Sequence, residues 1–240
     1  MTTSTNPRRL ARIIGILYLL VAILGPIAFL VGKADLTVAG DATATAVNIA
    51  GSESMFRTGM AVAGTIFMIE IVISAMLYVL FRPVSHHWSM AAMLSRVGLA
   101  VVQSVNLAWS ALALTLLSGA TYLAAFQTDQ LNALVQLFTD VDAFMVHVWG
   151  LFFALHLAIL GWLVYRSGFM PKFLGRLLVI ASIGYVFESF GAIVAPAAAG
   201  FLSALVIVLS VPGELAFAIW LVAKGVNEEK WATLAGMVQS

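Results

Sequence analysis

Long apolar runs separated by short polar stretches set the pattern of this chain. Crossing the hydrocarbon of a bilayer as helix takes roughly 20 mostly apolar residues, because backbone groups left unpaired in lipid cost several kcal/mol each. Six stretches meet that requirement: residues 13–31, 59–81, 97–117, 143–165, 177–194 and 201–223. The pattern predicts an all-α integral membrane protein, a bundle of about six transmembrane helices over residues 13–223. The first span is expected to bend or break near Gly25 and Pro26, and the third to extend back through Arg96 toward Trp88. Ser167 and Gly168 followed by Pro171 read as a helix stop and a helix start, which makes the fourth and fifth spans tight antiparallel neighbours. Residues 33–55 and 119–140 form the longer connections. In the second of these, Leu131, Leu134, Val135 and Phe138 recur at helical spacing after Thr128. That stripe suits either a short helix lying on the membrane surface or a loop helix capping the bundle.

Composition agrees with the pattern: 62% of the 240 residues are hydrophobic, 10% are charged and the mean hydropathy is +1.04. The net charge of +1 is less informative than its distribution. With the N-terminus inside, Arg8, Arg9, Arg12, Arg82, Arg166, Lys172, Arg176, Lys224 and Lys230 all fall on the cytoplasmic side, and only Lys33 and Arg57 fall outside. Asp35, Asp41, Glu53, Asp129, Asp140 and Asp142 are then external. This bias predicts a cytoplasmic N-terminal segment (1–12), a cytoplasmic C-terminal tail (224–240) and a multi-pass location in the lipid bilayer. The first span has a basic start but a long apolar run and no small-residue cleavage site, so it is expected to be a retained helix. Cysteine is absent, which excludes disulfides, thiolate metal sites and cysteine nucleophiles. Metalloprotease, P-loop and nucleophile-elbow signatures are also missing. Neither a metal, a cofactor nor a nucleic-acid partner is expected.

Ionisable groups at membrane depth are costly, and each is a functional candidate. At about 1.5 Å of rise per residue, Glu70, Gln103, His156 and Glu214 come out near the midplane, with Glu188 nearer the outside and Arg96 nearer the inside. Arg96, Gln103, Asn106 and Ser110 share one helical face. Trp149, Phe153 and His156 share another, with Asp142, and His147 points away from it. A site using both histidines is therefore not expected. Arg96 has two readings, an intramembrane partner or a side chain reaching inward to lipid phosphates. Pro212 interrupts the helix hydrogen bonding ahead of Glu214 and should kink the sixth span, and Gly213 admits the close approach of a ligand or another backbone. Three carboxyls, on Glu70, Glu188 and Glu214, face the single arginine Arg96, so at least one is expected to be neutral and to exchange a proton. The spacing of Arg9 and Tyr18 echoes that of Arg176 and Tyr185, without making an inverted repeat.

Three segments carry a resemblance. The run from Arg166 to Tyr185, RSGFMPKFLGRLLVIASIGY, continues to Phe187, Glu188, Ser189 and Phe190; RLARIIGILY begins at Arg9, and GELAFAIWLVAKG begins at Gly213. In this order they resemble the family called domain of unknown function 4386. The resemblance implies a multi-pass membrane protein of the bacterial plasma (inner) membrane and carries no assigned activity or catalytic residue.

Three functions remain open on the sequence. One is binding or transport of a small molecule or ion in a midplane pocket lined by Glu70, Gln103, Asn106, Trp149, His156 and Glu214, with Arg96 and Glu188 as secondary candidates. A homodimer would offset the small size of such a carrier. The second is a structural or accessory subunit whose polar residues hold the bundle or a partner helix. The third is an intramembrane enzyme on a hydrophobic substrate, with His156 and a glutamate as acid and base; an enzyme is the less expected outcome.

Overall fold

The computed structural model describes residues 6–237, so the outermost parts of the expected terminal segments, residues 1–5 and 238–240, lie outside the described residues. Among the described residues the chain is helical, with no strand: α1 (Pro7–Gly32), α2 (Ala42–Gly51), α3 (Glu53–Phe81), α4 (His86–Leu116), α5 (Thr128–Ser167), α6 (Lys172–Val194), α7 (Ala199–Ala223) and α8 (Glu228–Met237). Six of them, α1 and α3–α7, are long and apolar enough to cross a membrane. The protein is an all-α multi-pass membrane protein.

Several boundaries differ from the sequence reading, each for a physical reason. The apolar stripe of residues 131–138 is neither a separate surface helix nor a capping loop helix. It is the first part of the 40-residue α5, because no glycine or proline interrupts the chain from Thr128 to Trp149. The connection 33–55 contains α2, opened by Asp41, whose Oδ1 accepts from the Ala44 amide at 2.9 Å. The tail contains α8. Neither Pro26 nor Pro212 ends its helix; α1 and α7 each run unbroken past it. The turn at Ser167 and Gly168 forms as expected, with Gly168 at φ +69°, a left-handed conformation that terminates α5.

The chain divides into two compact units. Unit one comprises the chain up to Leu20, Ile69–Ala100 and the chain from His147 onward. Its helices meet at glycines. A Cβ on Gly175 would lie 2.5 Å from the Gly161 carbonyl oxygen, and one on Gly213 would lie 2.8 Å from that of Leu177. The space at Gly213 is thus filled by the α6 backbone. Ile14, Leu80, Leu157, Leu160, Leu178 and Phe217 are buried in this unit. Helix α8 is fastened to this unit by the Trp231 indole N–H, which donates to the Leu80 carbonyl (2.8 Å), and by Arg8 and Glu228 (3.5 Å). Unit two comprises Val21–Met68 and Val101–Val146. Its core is Leu36, Ala46, Ile49, Phe56, Ala113, Leu114 and Val135, with Phe138 packed against them. In the same unit Gly32 and Gly59 bring α1 and α3 together, since a Cβ on Gly32 would lie 2.8 Å from the Gly59 Cα.

Where the obstructing atoms are backbone, added volume has nowhere to go. Gly175→Val is therefore expected to destabilise the protein by about 1–3 kcal/mol. Gly25→Ala, at a helical position with nothing within 4 Å, should be neutral or slightly stabilising. Thermal unfolding of both variants in detergent checks the contrast.

Candidate functional site

The polar cluster of unit one is built around Arg96. This side chain rises from the first half of α4, where Ala92 and Ala100 keep the helix surface low, and it is 1% exposed. Its Nε donates to Glu70 Oε2 on α3 at 2.5 Å, and one Nη1 proton goes to the Tyr18 hydroxyl on α1. The same Nη1 lies 3.0 Å from His156 Nε2 on α5. Arg96 therefore does not reach inward to lipid phosphates: a buried arginine is held by a carboxylate, a hydroxyl and an imidazole at once. Its guanidinium carbon also lies 4.2 Å from the centre of the Tyr18 ring.

The state of His156 follows from its neighbours. Nδ1 is 2.8 Å from the Ala92 carbonyl oxygen, which only accepts, so Nδ1 carries the proton and donates. Nε2 then offers its lone pair to Arg96. Both ring nitrogens are engaged, and the residue is fully buried.

An aromatic wall runs on from this cluster. Phe153 stacks parallel to the His156 ring (6.1 Å), Trp149 stacks on Phe153 (4.9 Å), and Tyr185 of α6 meets Phe153 edge-on (5.0 Å). The Tyr185 hydroxyl donates to Glu214 Oε1 of α7 at 3.1 Å. Further along α5 and α6, His147 Nδ1 and Glu188 Oε1 are 2.9 Å apart, and the Ser189 hydroxyl donates to Glu188 Oε2 (3.3 Å). The two histidines of α5 thus serve different carboxylates, Glu70 through Arg96 and Glu188 directly.

Of the residues expected to share one pocket, Glu70, Trp149, His156 and Glu214 belong to unit one, together with Arg96 and Glu188. Gln103 and Asn106 belong to unit two, where Asn106 Nδ2 donates to Gln103 Oε1 (3.3 Å) and to the main-chain oxygen of Asp142 (3.0 Å). Two residues of the unit-one cluster, Tyr18 and Tyr185, were not site candidates. Both sit amid apolar helix sequence, where a buried hydroxyl needs a partner, and that need was the available signal.

Removing Arg96 alone leaves the Glu70 carboxylate buried without its counter-ion. Arg96→Met is expected to cost about 3–5 kcal/mol of stability, and the double variant Arg96→Met/Glu70→Leu should recover most of that loss. Unfolding of the single and double variants, read as a double-mutant cycle, checks the coupling.

Comparison with known proteins gives the chain a family. The family model described as "Domain of unknown function (DUF4386)" matches residues 13–225, nearly the whole chain and every span. A relative described as "Uncharacterized protein" from Archaeoglobus fulgidus is 33% identical over 162 residues, covering 67% of this chain and 79% of its own length. That relative is archaeal. No solved structure matches. With helices, ordered segments and family match in agreement, the chain belongs to the family of domain of unknown function 4386.

Proposed function

We propose that this protein binds or transports a small molecule or ion in the plasma membrane, with both termini cytoplasmic, and that Glu214 is the group that exchanges a proton in the process. The pairing of the intramembrane carboxyls carries the reading. Glu70 has Arg96 and Glu188 has His147, whereas Glu214 has the Tyr185 hydroxyl and, among the described residues, no basic partner. Glu214 is thus the intramembrane carboxyl not committed to an ion pair of its own, Arg96 being taken by Glu70, and a coupled carrier needs such a group to take up and release a proton. The wall of Trp149, Phe153 and Tyr185 beside it suits a small solute with an apolar face. The pocket of this proposal is narrower than the one read from sequence: Glu70, Trp149, His156 and Glu214, with Tyr185 added.

A second reading, a structural or accessory subunit, is favoured by the Arg96 cluster itself. Glu70, Tyr18 and His156 satisfy the guanidinium inside the protein, and such a cluster fixes helix positions with no ligand at all.

Native mass spectra of the protein released from membrane-like detergent separate the two. A bound small molecule that is present in the wild type and lost in Glu214→Gln and His156→Ala is the expected result. Equal stability of all three proteins with no adduct in any would select the structural reading. The topology is checked by the absence of cysteine, which allows single labels without background. Asp129→Cys should react with an impermeant maleimide from outside intact cells, and Lys172→Cys only after lysis.

A further inference from the structure

Unit two holds a second buried polar set, independent of the residues proposed above. On α4, Asn106 and Ser110 are four residues apart and share a face, and α5 places Asp142 against them. Asn106 is 3% exposed, Ser110 2% and Asp142 5%. The orientation of the Asn106 amide is fixed by its acceptors, since Nδ2 donates both to the Asp142 main-chain oxygen and to Gln103 Oε1. A flipped amide would set oxygen against two oxygens. Asn106 Oδ1 is therefore a buried acceptor that receives no hydrogen bond from any described residue. A native structure rarely leaves such an atom without a donor or a cation.

The neighbouring carboxylate is unevenly used. Asp142 Oδ2 takes the ammonium of Lys33, the residue directly after α1, while Oδ1 has, among the described residues, only the Ser110 hydroxyl at 3.4 Å. The Lys33 side chain is one-third exposed, so its head has a short route to solvent on a flexible stem. An amide carbonyl, a carboxylate and a hydroxyl are the hard oxygen donors that alkali cations prefer. One carboxylate with one displaceable ammonium balances a single positive charge in either state, which a divalent ion would not match.

We propose that this face binds a small monovalent cation through Asn106 Oδ1, the Asp142 carboxylate and the Ser110 hydroxyl, and that the Lys33 ammonium is the built-in competitor for Asp142. When the cation enters, Lys33 turns to solvent; when it leaves, the ammonium returns and the ion pair closes.

The test uses the full chain in nanodiscs, with the unfolding midpoint measured in sodium, potassium or choline chloride at equal ionic strength. Sodium or potassium is expected to raise the wild-type midpoint by about 5 °C over choline. Lys33→Gln removes the competitor, so the salt concentration giving half the effect should fall by roughly tenfold. Asn106→Leu should abolish the response, and Ser110→Ala, which is gentler on folding, should weaken it. Midpoints that are the same in all three salts for both wild type and Lys33→Gln would overturn the proposal and leave the Asn106 oxygen to a trapped water. A wild-type response that Lys33→Gln does not sharpen would overturn the role given to Lys33.

Discussion

Unit one is organised by the need to keep one guanidinium inside an apolar helical protein. Arg96 is permanently charged, and an unpaired charge buried there would take a large part of the protein's margin of stability. The cost is met by bringing three other helices to α4: α3 supplies the carboxylate of Glu70, α1 the hydroxyl of Tyr18 and α5 the imidazole of His156. A salt bridge of this kind is weak as a source of stability compared with apolar packing. Its value is specificity, because a rotation of any of the four helices would strand a polar group in a low-dielectric interior.

Close glycine contacts carry the packing on the other side of α5, against α6 and α7. In lipid there is little hydrophobic drive between helices, so packing depends on backbones that approach closely. Gly161 and Gly175 bring α5 against α6, and Gly213 brings α7 against α6. These approaches set Tyr185 beside both Phe153 and Glu214. The order of effects is then packing first, polar pairing second, and chemistry at Glu214 as what the pairing leaves over.

Much of this was legible in the chain before the structure. Glu70, Arg96, His156 and Glu214 stand out because charged or titratable residues within apolar spans are rare and costly. Their partners were harder to name. Tyr18 and Tyr185 are ordinary members of a transmembrane helix until the hydroxyl is seen to need an acceptor or donor. Gln103 and Asn106 lie at the right depth and on the same α4 face as Arg96, yet they join Asp142 and Lys33 in unit two. Helical phase gives the direction of a side chain on its own axis but not the identity of the helix it meets. Lys33 reads as a flank residue, and Asp142, although in helical phase with Trp149 and His156, lies just outside the span 143–165 among the external carboxylates, so neither stands out as a partner.

The sequence by itself determined the class of protein, the six apolar helices, the turn at Gly168 and the residues too costly to be accidental, since these rest on local physics: hydropathy, helical period and the expense of charge in lipid. The tertiary structure alone decided which groups pair. Arg96 with Glu70, His147 with Glu188, Lys33 with Asp142 and Tyr185 with Glu214 each join residues distant in the chain, and such pairs depend on helix-to-helix distances of a few ångströms. For His147 with Glu188 and Tyr185 with Glu214, glycine contacts bring the two helices together, a property of two surfaces meeting that neither segment carries alone.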